Sequence, residues 1–182
     1  MIQNLNNVKI PNNFNGKNKV KVQLWYIVWF FFFRPSPHML NSFRVLVLRL
    51  FGAKVGKGLK IKPSAYISYP WNFVGGDYTY IGDNVFIDSL TSVSVGNNVS
   101  ISNGVYITSG THNSKSEFFD LVLKPVCISD ESWLCVKSVV LPGASIGSGS
   151  IIGACALVSE GEVIPDNQVW VGLPARYVKN RI

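Results

Sequence analysis

Large aliphatic residues recur every six positions in the last third of the chain. The series runs without a gap through Ile128, Leu134, Val140, Ile146, Ile152, Val158 and Ile164. Four positions after most of them stands a small residue: Ser132, Ser138, Ala144, Ser150 and Ala156. A period of six fits neither an α-helix nor a simple alternating strand, but it fits short strands joined by tight corners and stacked as a parallel β-helix. We therefore expect both sets of side chains to point into the coils.

The same period appears earlier in the chain with one change of phase. It covers Val55, Ile61, Ile67 and Phe73, then Ile81, Ile87 and Val93, and, two positions out of step, Val95, Ile101 and Ile107. Each coil of such a stack bonds only to its neighbours. We predict a mainly β fold, with a hexapeptide-repeat domain and C-terminal tail over residues 53–182. The repeat is interrupted from about His112 to Pro125, and an insertion in a solenoid becomes a loop that projects from one face.

Residues 1–52 lack the repeat and form a segment of a different kind. Apolar residues at helical spacing run from Val22 to Phe33, and again from Leu40 to Phe51 after an RPSP break. We predict helices that cover the first end of the stack, where strand edges would otherwise be unpaired. The run LWYIVWFFFF at 24–33 is too short to span a bilayer, which takes about 20 apolar residues.

Composition narrows the class of protein. Hydrophobic residues make up 47% of the 182 residues and charged residues only 15%, which indicates a globular domain. The net charge of +7 suits anionic partners. Because the basic residues gather at the two termini and no recognition motif appears, we expect no nucleic-acid partner. Three unevenly spaced cysteines and the lack of a secretory signal predict reduced thiols in the cytoplasm.

Three sequence segments carry a resemblance to a known family. With the repeat, TSGTHNS at 108–114, KPVCISDESWLCV at 124–136 and VGLPARYVK at 171–179 resemble the left-handed β-helix acetyltransferases. The opening run at 24–33, together with LRLFGAKVG at 48–56, is similar to the WcaF-like, colanic-acid branch, whose members acetylate sugars of exported polysaccharides such as capsule, exopolysaccharide or O-antigen. The resemblance implies a left-handed coil, acetyl-CoA as co-substrate, a homotrimer and direct transfer of acetyl to a sugar hydroxyl.

His112 is the residue to which the resemblance gives the role of general base. A hydroxyl that attacks a thioester must lose its proton, and a neutral imidazole near pH 7 is suited to take it. Asp88 is a candidate either to orient His112 or to bind a sugar hydroxyl, and Ser89 is the alternative for the same role. A zinc site of three histidines is excluded because the chain has two, and we expect no metal.

The resemblance also implies where CoA binds. A backbone N–H of Cys135 or Val136 would face the thioester oxygen. Contacts with CoA are expected from Trp133, Gly153, Ala154, Ser159, Arg176 and Lys179. Arginine and lysine in the tail suit the phosphates of CoA. Glu160 stands where many relatives carry lysine, and its charge would repel phosphate.

Several alternatives stay open from the sequence. The acceptor could be an amino sugar, which would make the protein an N-acetyltransferase, or the β-helix could be a non-catalytic binding scaffold. The acceptor could be free, nucleotide-linked or lipid-linked. Aromatic residues at 25–33 beside cations predict weak, salt-sensitive, peripheral contact with an anionic membrane. The simpler alternative is that these aromatics only cover the stack end and pack on neighbouring subunits. The cations in question are Lys19, Lys21, Arg34, Arg44 and Arg49.

Overall fold

The protein is described by a computed structural model that covers residues 4–12, 14, 16 and 18–182. Its body is a left-handed parallel β-helix of six coils, which confirms the predicted fold. The first three coils comprise β1 (Lys54–Val55), β2 (Lys60–Ile61) and β3 (Tyr66–Ile67); β4 (Phe73–Gly75), β5 (Tyr80–Ile81) and β6 (Phe86–Asp88); and β7 (Val93–Val95), β8 (Ser100–Ile101) and β9 (Tyr106–Thr108).

An antiparallel hairpin then leaves the stack, formed by β10 (Gly110–His112) and β11 (Leu121–Leu123). We call residues 110–123 the arm. The last three coils comprise β12 (Val126–Ile128), β13 (Trp133–Leu134) and β14 (Val139–Val140); β15 (Ser145–Ile146), β16 (Ile151–Ile152) and β17 (Leu157–Val158); and β18 (Val163–Ile164) with β19 (Gln168–Val171). The tail strand β20 (Arg176–Asn180) returns antiparallel to β19.

The strands line up as the three faces of a prism. The first strands of the coils form sheet A, the second strands with β20 form sheet B, and the third strands form sheet C. The aliphatic residues of the repeat, apart from the half-buried Val55, and the small residues four positions later are buried inside. Buried serine hydroxyls bond to corner carbonyls, as Ser150 does to the Pro165 carbonyl at 2.7 Å. The predicted inward pattern is therefore confirmed.

The coils come in two lengths. On sheet B, Lys60 pairs with Tyr80 and Tyr80 with Ser100, whereas Trp133 pairs with Ile151 and Ile151 with Val169, so the early coils are longer by two positions. The longer coils arise because the first and third residues of the strands β4 and β7 both point inward. In β7 these are Val93 and Val95, which explains the change of phase in the sequence. The change from long to short coils falls at the arm.

Among the described residues, two α-helices precede the first coil: α1 (Lys19–Val28), which continues into a π-helical turn (Trp29–Phe33), and α2 (Asn41–Leu50). Single 3₁₀ turns lie at Leu5–Asn7 and Pro70–Asn72. The Asn18 side chain caps α1 by accepting a hydrogen bond from the Lys21 N–H. Just past α2, Gly52 has φ +96°, a conformation that favours glycine and ends the helix where the sequence predicted.

Side chains from these helices bond to the main chain of the first coil. The bonds run from Trp25 Nε1 to the Ile67 carbonyl (2.7 Å), Trp29 Nε1 to the Ala65 carbonyl (2.9 Å), Asn41 Nδ2 to the Leu59 carbonyl (2.8 Å) and Arg44 Nε to the Ile61 carbonyl (2.8 Å). The carbonyls belong to the outer edge of the stack, which has no further coil to pair with in the described part of the chain. The helices therefore supply the hydrogen bonds that a seventh coil would have made.

Arg44 does not lie at a membrane-facing surface, and our prediction for this residue is wrong. Its side chain is 1% exposed. The guanidinium also donates to the Ser36 hydroxyl and to the carbonyls of Pro37 and His38, which fixes the RPSP turn against the coil. Burial lowers the pKa of Arg44, but arginine remains charged at neutral pH because its ordinary pKa is so high. Among the described residues no salt bridge joins it to a carboxylate.

Candidate active site

His112 lies on the arm, where its ring is fixed from one side only. Nδ1 is 2.8 Å from the Phe119 carbonyl oxygen, and the two rings stack with centroids 4.2 Å apart. A carbonyl can only accept a hydrogen bond, so Nδ1 carries the hydrogen and Nε2 keeps its lone pair in the neutral ring. The residue is exposed on the arm. In this tautomer Nε2 is the ring nitrogen that is able to accept a proton.

The far end of the arm is built to present the Phe119 carbonyl. Phe119 has φ +48°, which turns the chain back toward His112. Asp120 holds this turn, because its carboxylate accepts from the Ser116 hydroxyl at 2.8 Å and its carbonyl accepts from the Asn113 N–H at 2.9 Å. Phe119 contacts His112 both through its ring and through its carbonyl. The carbonyl bond sets the tautomer, and because every residue has a carbonyl, no pattern in the sequence could have revealed that part of the role.

Asp88 and Ser89, the two candidates for orienting His112, have different surroundings. Ser89 is fully buried, and its hydroxyl bonds both main-chain groups of Tyr69. Asp88 is half-buried on sheet C, where its carboxylate is hydrogen-bonded to Ser68 and Thr108. Burial raises the pKa of Asp88, and these two hydrogen bonds oppose the rise. Asp88 is thus the better placed of the two to meet an acceptor.

Beside Asp88 runs a column of aromatic rings that sequence reasoning missed. The rings of Trp29, Tyr66, Phe86 and Tyr106 lie one above another, with successive centroids 4.6, 5.4 and 5.2 Å apart. A cleft of about 390 Å³ opens at the first three of these rings. The signal was present in the sequence as the even spacing of Tyr66, Phe86 and Tyr106, but it becomes visible only when the coil length is known. Flat aromatic surfaces beside a carboxylate suit a sugar ring.

The two candidate oxyanion donors also differ. The N–H of Cys135 is already donated to the Ile152 carbonyl at 2.9 Å in the sheet B ladder. Val136 comes next, at the corner between sheets B and C, and is 42% exposed. Its N–H is therefore the better candidate. Burial raises the pKa of the Cys135 thiol, which disfavours the thiolate that a nucleophilic cysteine requires.

The expected CoA contacts near this corner share one side of the prism. Trp133 lies outward on sheet B, 44% exposed, and its Nε1 donates to the Ser102 hydroxyl. Gly153 and Ala154 form the B–C corner one coil further on. A Cβ at Gly153 would come within 2.6 Å of a Val171 methyl carbon, so only glycine fits without a shift of the tail.

A β-bulge brings the two basic tail residues to one face. Val171 pairs with Arg176 and Val169 with Lys179, with the irregularity between Val169 and Trp170. Paired residues of an antiparallel ladder point to the same side, so Arg176 and Lys179 share the outward face of sheet B. In a regular strand, residues three apart would point to opposite faces.

Ser159 and Glu160 lie elsewhere, at the corner between sheets C and A. Glu160 forms a salt bridge of 2.7 Å with Lys124 at the base of the arm. This pairing offsets the negative charge that was expected to repel phosphate.

The predicted site is thus spread over two corners of one chain. The arm with His112 leaves from the C–A corner, whereas Val136, Gly153 and the tail lie at sheet B and the B–C corner. Sheet C, on the order of 10 Å wide, separates them. Within the described residues no group of three or more His, Cys, Asp or Glu side chains could hold a metal ion.

Comparisons with known proteins agree with this architecture. No protein-family model matches the chain. The chain is 38% identical over 181 residues to the Escherichia coli K12 protein named colanic acid biosynthesis acetyltransferase WcaF, covering all of this chain and 98% of that one.

Among solved structures, a hexapeptide-repeat acetyltransferase from Vibrio cholerae superposes with a TM-score of 0.82 at 19% identity, covering 90% of this chain and 92% of that one. A galactoside acetyltransferase in complex with coenzyme A superposes with a TM-score of 0.80 at 25% identity, covering 90% and 82%. The chain therefore belongs to the acetyl-CoA-dependent acetyltransferases of the hexapeptide-repeat family, which confirms the resemblance read from its sequence.

Proposed function

We propose that this acetyltransferase transfers the acetyl group to a hydroxyl of a sugar in an exported polysaccharide, with His112 as general base. The observation that carries the proposal is the bond between Nδ1 and the Phe119 carbonyl, since it leaves Nε2 able to accept a proton. The relatives named for colanic acid biosynthesis and galactoside acetylation support a sugar acceptor. Family membership argues against a non-catalytic scaffold.

The reaction follows from these residues. Nε2 of His112 takes the hydroxyl proton as the sugar oxygen attacks the thioester carbon, and the Val136 N–H donates to the carbonyl oxygen as it gains negative charge. When the carbon–sulfur bond breaks, the imidazolium returns the proton to the departing thiolate. Asp88 and the aromatic column bind the acceptor. The residues that bind CoA are Trp133, Gly153, Ala154, Ser159, Arg176 and Lys179.

A matched pair of variants tests the division of roles. His112→Ala should lower turnover by about 10²–10⁴-fold and leave the Kd for acetyl-CoA unchanged. Arg176→Ala should raise that Kd roughly tenfold to a hundredfold, as expected when a charge-assisted hydrogen bond to phosphate is lost. Calorimetry gives the Kd, and NMR of the product from a screen of sugars and amino sugars locates the acetyl group. Wild-type turnover by His112→Ala, or an N-acetylated product, contradicts the proposal.

We also propose that the enzyme is a homotrimer with its sites between chains. All the CoA residues except Ser159 lie at a different corner from His112, so a neighbouring copy can bring the arm and Ser159 of one chain to the CoA face of the next. Flat prism faces suit cyclic packing. A stable, active monomer in light scattering would contradict this arrangement.

Finally, we propose that the enzyme works in the cytoplasm, in peripheral contact with the inner face of the cytoplasmic membrane, on an acceptor held by a lipid carrier. None of the helices in the described ranges is long and apolar enough to cross a membrane. Comparing turnover of a lipid-linked oligosaccharide with turnover of the same sugar free in solution tests whether the acceptor is lipid-linked. Equal turnover of both would argue against it.

A further inference from the structure

The N-terminal helices divide their apolar residues between two surfaces. Trp25 and Phe33 are each 1% exposed and pack against the first coil. On the outer side, Phe31 is 63% exposed, Phe32 60% and Met39 88%. Other large apolar side chains of α1 and α2 join them: Leu24, Tyr26, Ile27, Leu46 and Leu50. We call this outer surface the apolar face. So many large apolar side chains left exposed on two helices and the turn between them indicate an interaction site.

Charge is distributed unevenly along the chain, and the excess lies at the same end. The part of the sequence before Asp77 contains eleven of the 17 lysines and arginines and none of the ten acidic residues, a charge of +11. The part from Asp77 onward carries six basic and ten acidic residues, a charge of −4, which together give the net +7. Lys19, Lys21, Arg34 and Arg49 are spread along the helices themselves. Lys9 lies instead over the Phe118 ring on the arm. The nine basic residues from Lys19 to Lys62 belong to the helices, the turn between them and the first coil, so the end that exposes the apolar face is cationic.

A cavity between α2 and the first coil concentrates this charge. It measures about 280 Å³, and the described residues that line it include His38, Arg44, Lys60, Lys62 and Tyr80 but no acidic residue. Lys62 Nζ lies 3.4 Å from Nδ1 of His38, and no carboxylate of the described chain pairs with Lys60 or Lys62. The buried Arg44 guanidinium adds positive charge to the cavity, but its N–H groups are already donated to Ser36 and to main-chain carbonyls. Basic groups held this close without counter-charge form a site for an anion such as phosphate.

We propose that this cavity binds the phosphate of an anionic membrane lipid while the apolar face rests in the bilayer interface. A soluble phosphate would account for the cations but not for the apolar face. A neighbouring subunit is the alternative cover for the apolar face, and the assembly measurement described below separates it from a bilayer. An anionic bilayer satisfies both, since its headgroups are negative and its interface accepts aromatic and aliphatic side chains. Met39 directly follows His38, so the cavity and the apolar face adjoin.

This inference rests on the proposed membrane contact and specifies it: the surface is the apolar face with the adjoining cavity, and the ligand is an anionic lipid. It does not depend on the reaction at His112. Turnover of a water-soluble acceptor tests the reaction, and vesicle binding in the absence of substrates tests the surface. The two can therefore fail separately.

The experiment is flotation of the full-length protein with vesicles of phosphatidylcholine alone or with 30 mole per cent phosphatidylglycerol. We expect binding only to the anionic vesicles, and release by 0.5 M NaCl. Lys60→Gln with Lys62→Gln should weaken binding at least tenfold, because each basic residue near an anionic surface contributes about 1 kcal/mol. Phe31→Ser with Phe32→Ser should also weaken binding, because it removes apolar surface from the interface.

The matched control removes two lysines outside this end, by Lys115→Gln with Lys137→Gln, and should change binding less than threefold. An equal loss in the control would mean that net charge alone attracts the protein, and would overturn the proposal. So would a lack of binding to anionic vesicles. Calorimetry with inorganic pyrophosphate is a third measurement. If pyrophosphate binds and needs Lys60 and Lys62, but the protein does not bind vesicles, the cavity is a site for a soluble phosphate. Loss of assembly in Phe31→Ser with Phe32→Ser would instead assign the apolar face to a subunit contact.

Discussion

The two ends of the β-helix satisfy the unpaired main-chain groups of their outermost strands in different ways. At the N-terminal end, four side chains of the helices bond to the edge of the first coil. At the C-terminal end, the main chain closes the edge of sheet B, because β20 returns beside β19 and supplies a ladder of its own. A main-chain ladder accepts almost any residue but proline. A side-chain cap depends on particular residues, so the first end should be far more sensitive to substitution.

Each half of the molecule contains an arginine that donates to main-chain carbonyls, so the two arginines can be compared directly. Arg44 is buried and donates to carbonyls of the first coil and the RPSP turn. Arg181 is exposed and donates to the carbonyls of Glu131 and Gly149, each at 2.9 Å. The bond lengths are alike, so the difference between the two lies in access to water. Water can replace Arg181 at its carbonyls but cannot readily replace Arg44.

The largest effect is expected from Arg44→Met. This change keeps much of the side-chain volume but leaves several buried acceptors without a donor, at a cost of about 3 kcal/mol in the free energy of unfolding. The midpoint of urea unfolding should fall at unchanged m value, measured at constant protein concentration. A loss below about 1 kcal/mol would mean that the cap does not depend on this residue.

A smaller effect is expected from Trp25→Phe. The ring contacts with Phe33 and Phe51 can persist, but the buried Ile67 carbonyl loses its donor, which costs about 1–2 kcal/mol. Trp133→Phe is the control, because that indole is exposed and bonds only to a surface serine. The same urea unfolding measures both, and similar losses in the two variants would contradict the assignment.

The smallest effect is expected from Arg181→Met. Because the tail ladder closes this end without it, the free energy of unfolding should change by no more than about 0.5 kcal/mol. If Arg181→Met lowered the unfolding midpoint as far as Arg44→Met, the C-terminal end would also rely on a side-chain cap, and the contrast between the two ends would be lost.

The periodic part of the fold could be predicted from the sequence because interior packing repeats every six positions. The helical cover could be predicted too, since an unpaired edge requires one. Contacts between elements distant in sequence could not be predicted. Nothing local marks Arg44 as buried, and the pairing of Glu160 with Lys124 depends on where the arm begins. The shared face of Arg176 and Lys179 depends on a bulge, and the orientation of His112 depends on a carbonyl, which every residue has.

The two coil lengths have a consequence for how this molecule can change in size. Coils four to six share one length, as the pairs Trp133 with Ile151 and Ile151 with Val169 show. Each coil adds about 4.8 Å along the axis. An additional coil of that same length, inserted among them, would keep every inward position in register and move the tail by one step from Trp133. The length of the C-terminal half can thus change only in steps of one whole coil. The coils before the arm are longer by two residues. Exchanging one coil between the two halves would therefore shift the strand pairing by two positions.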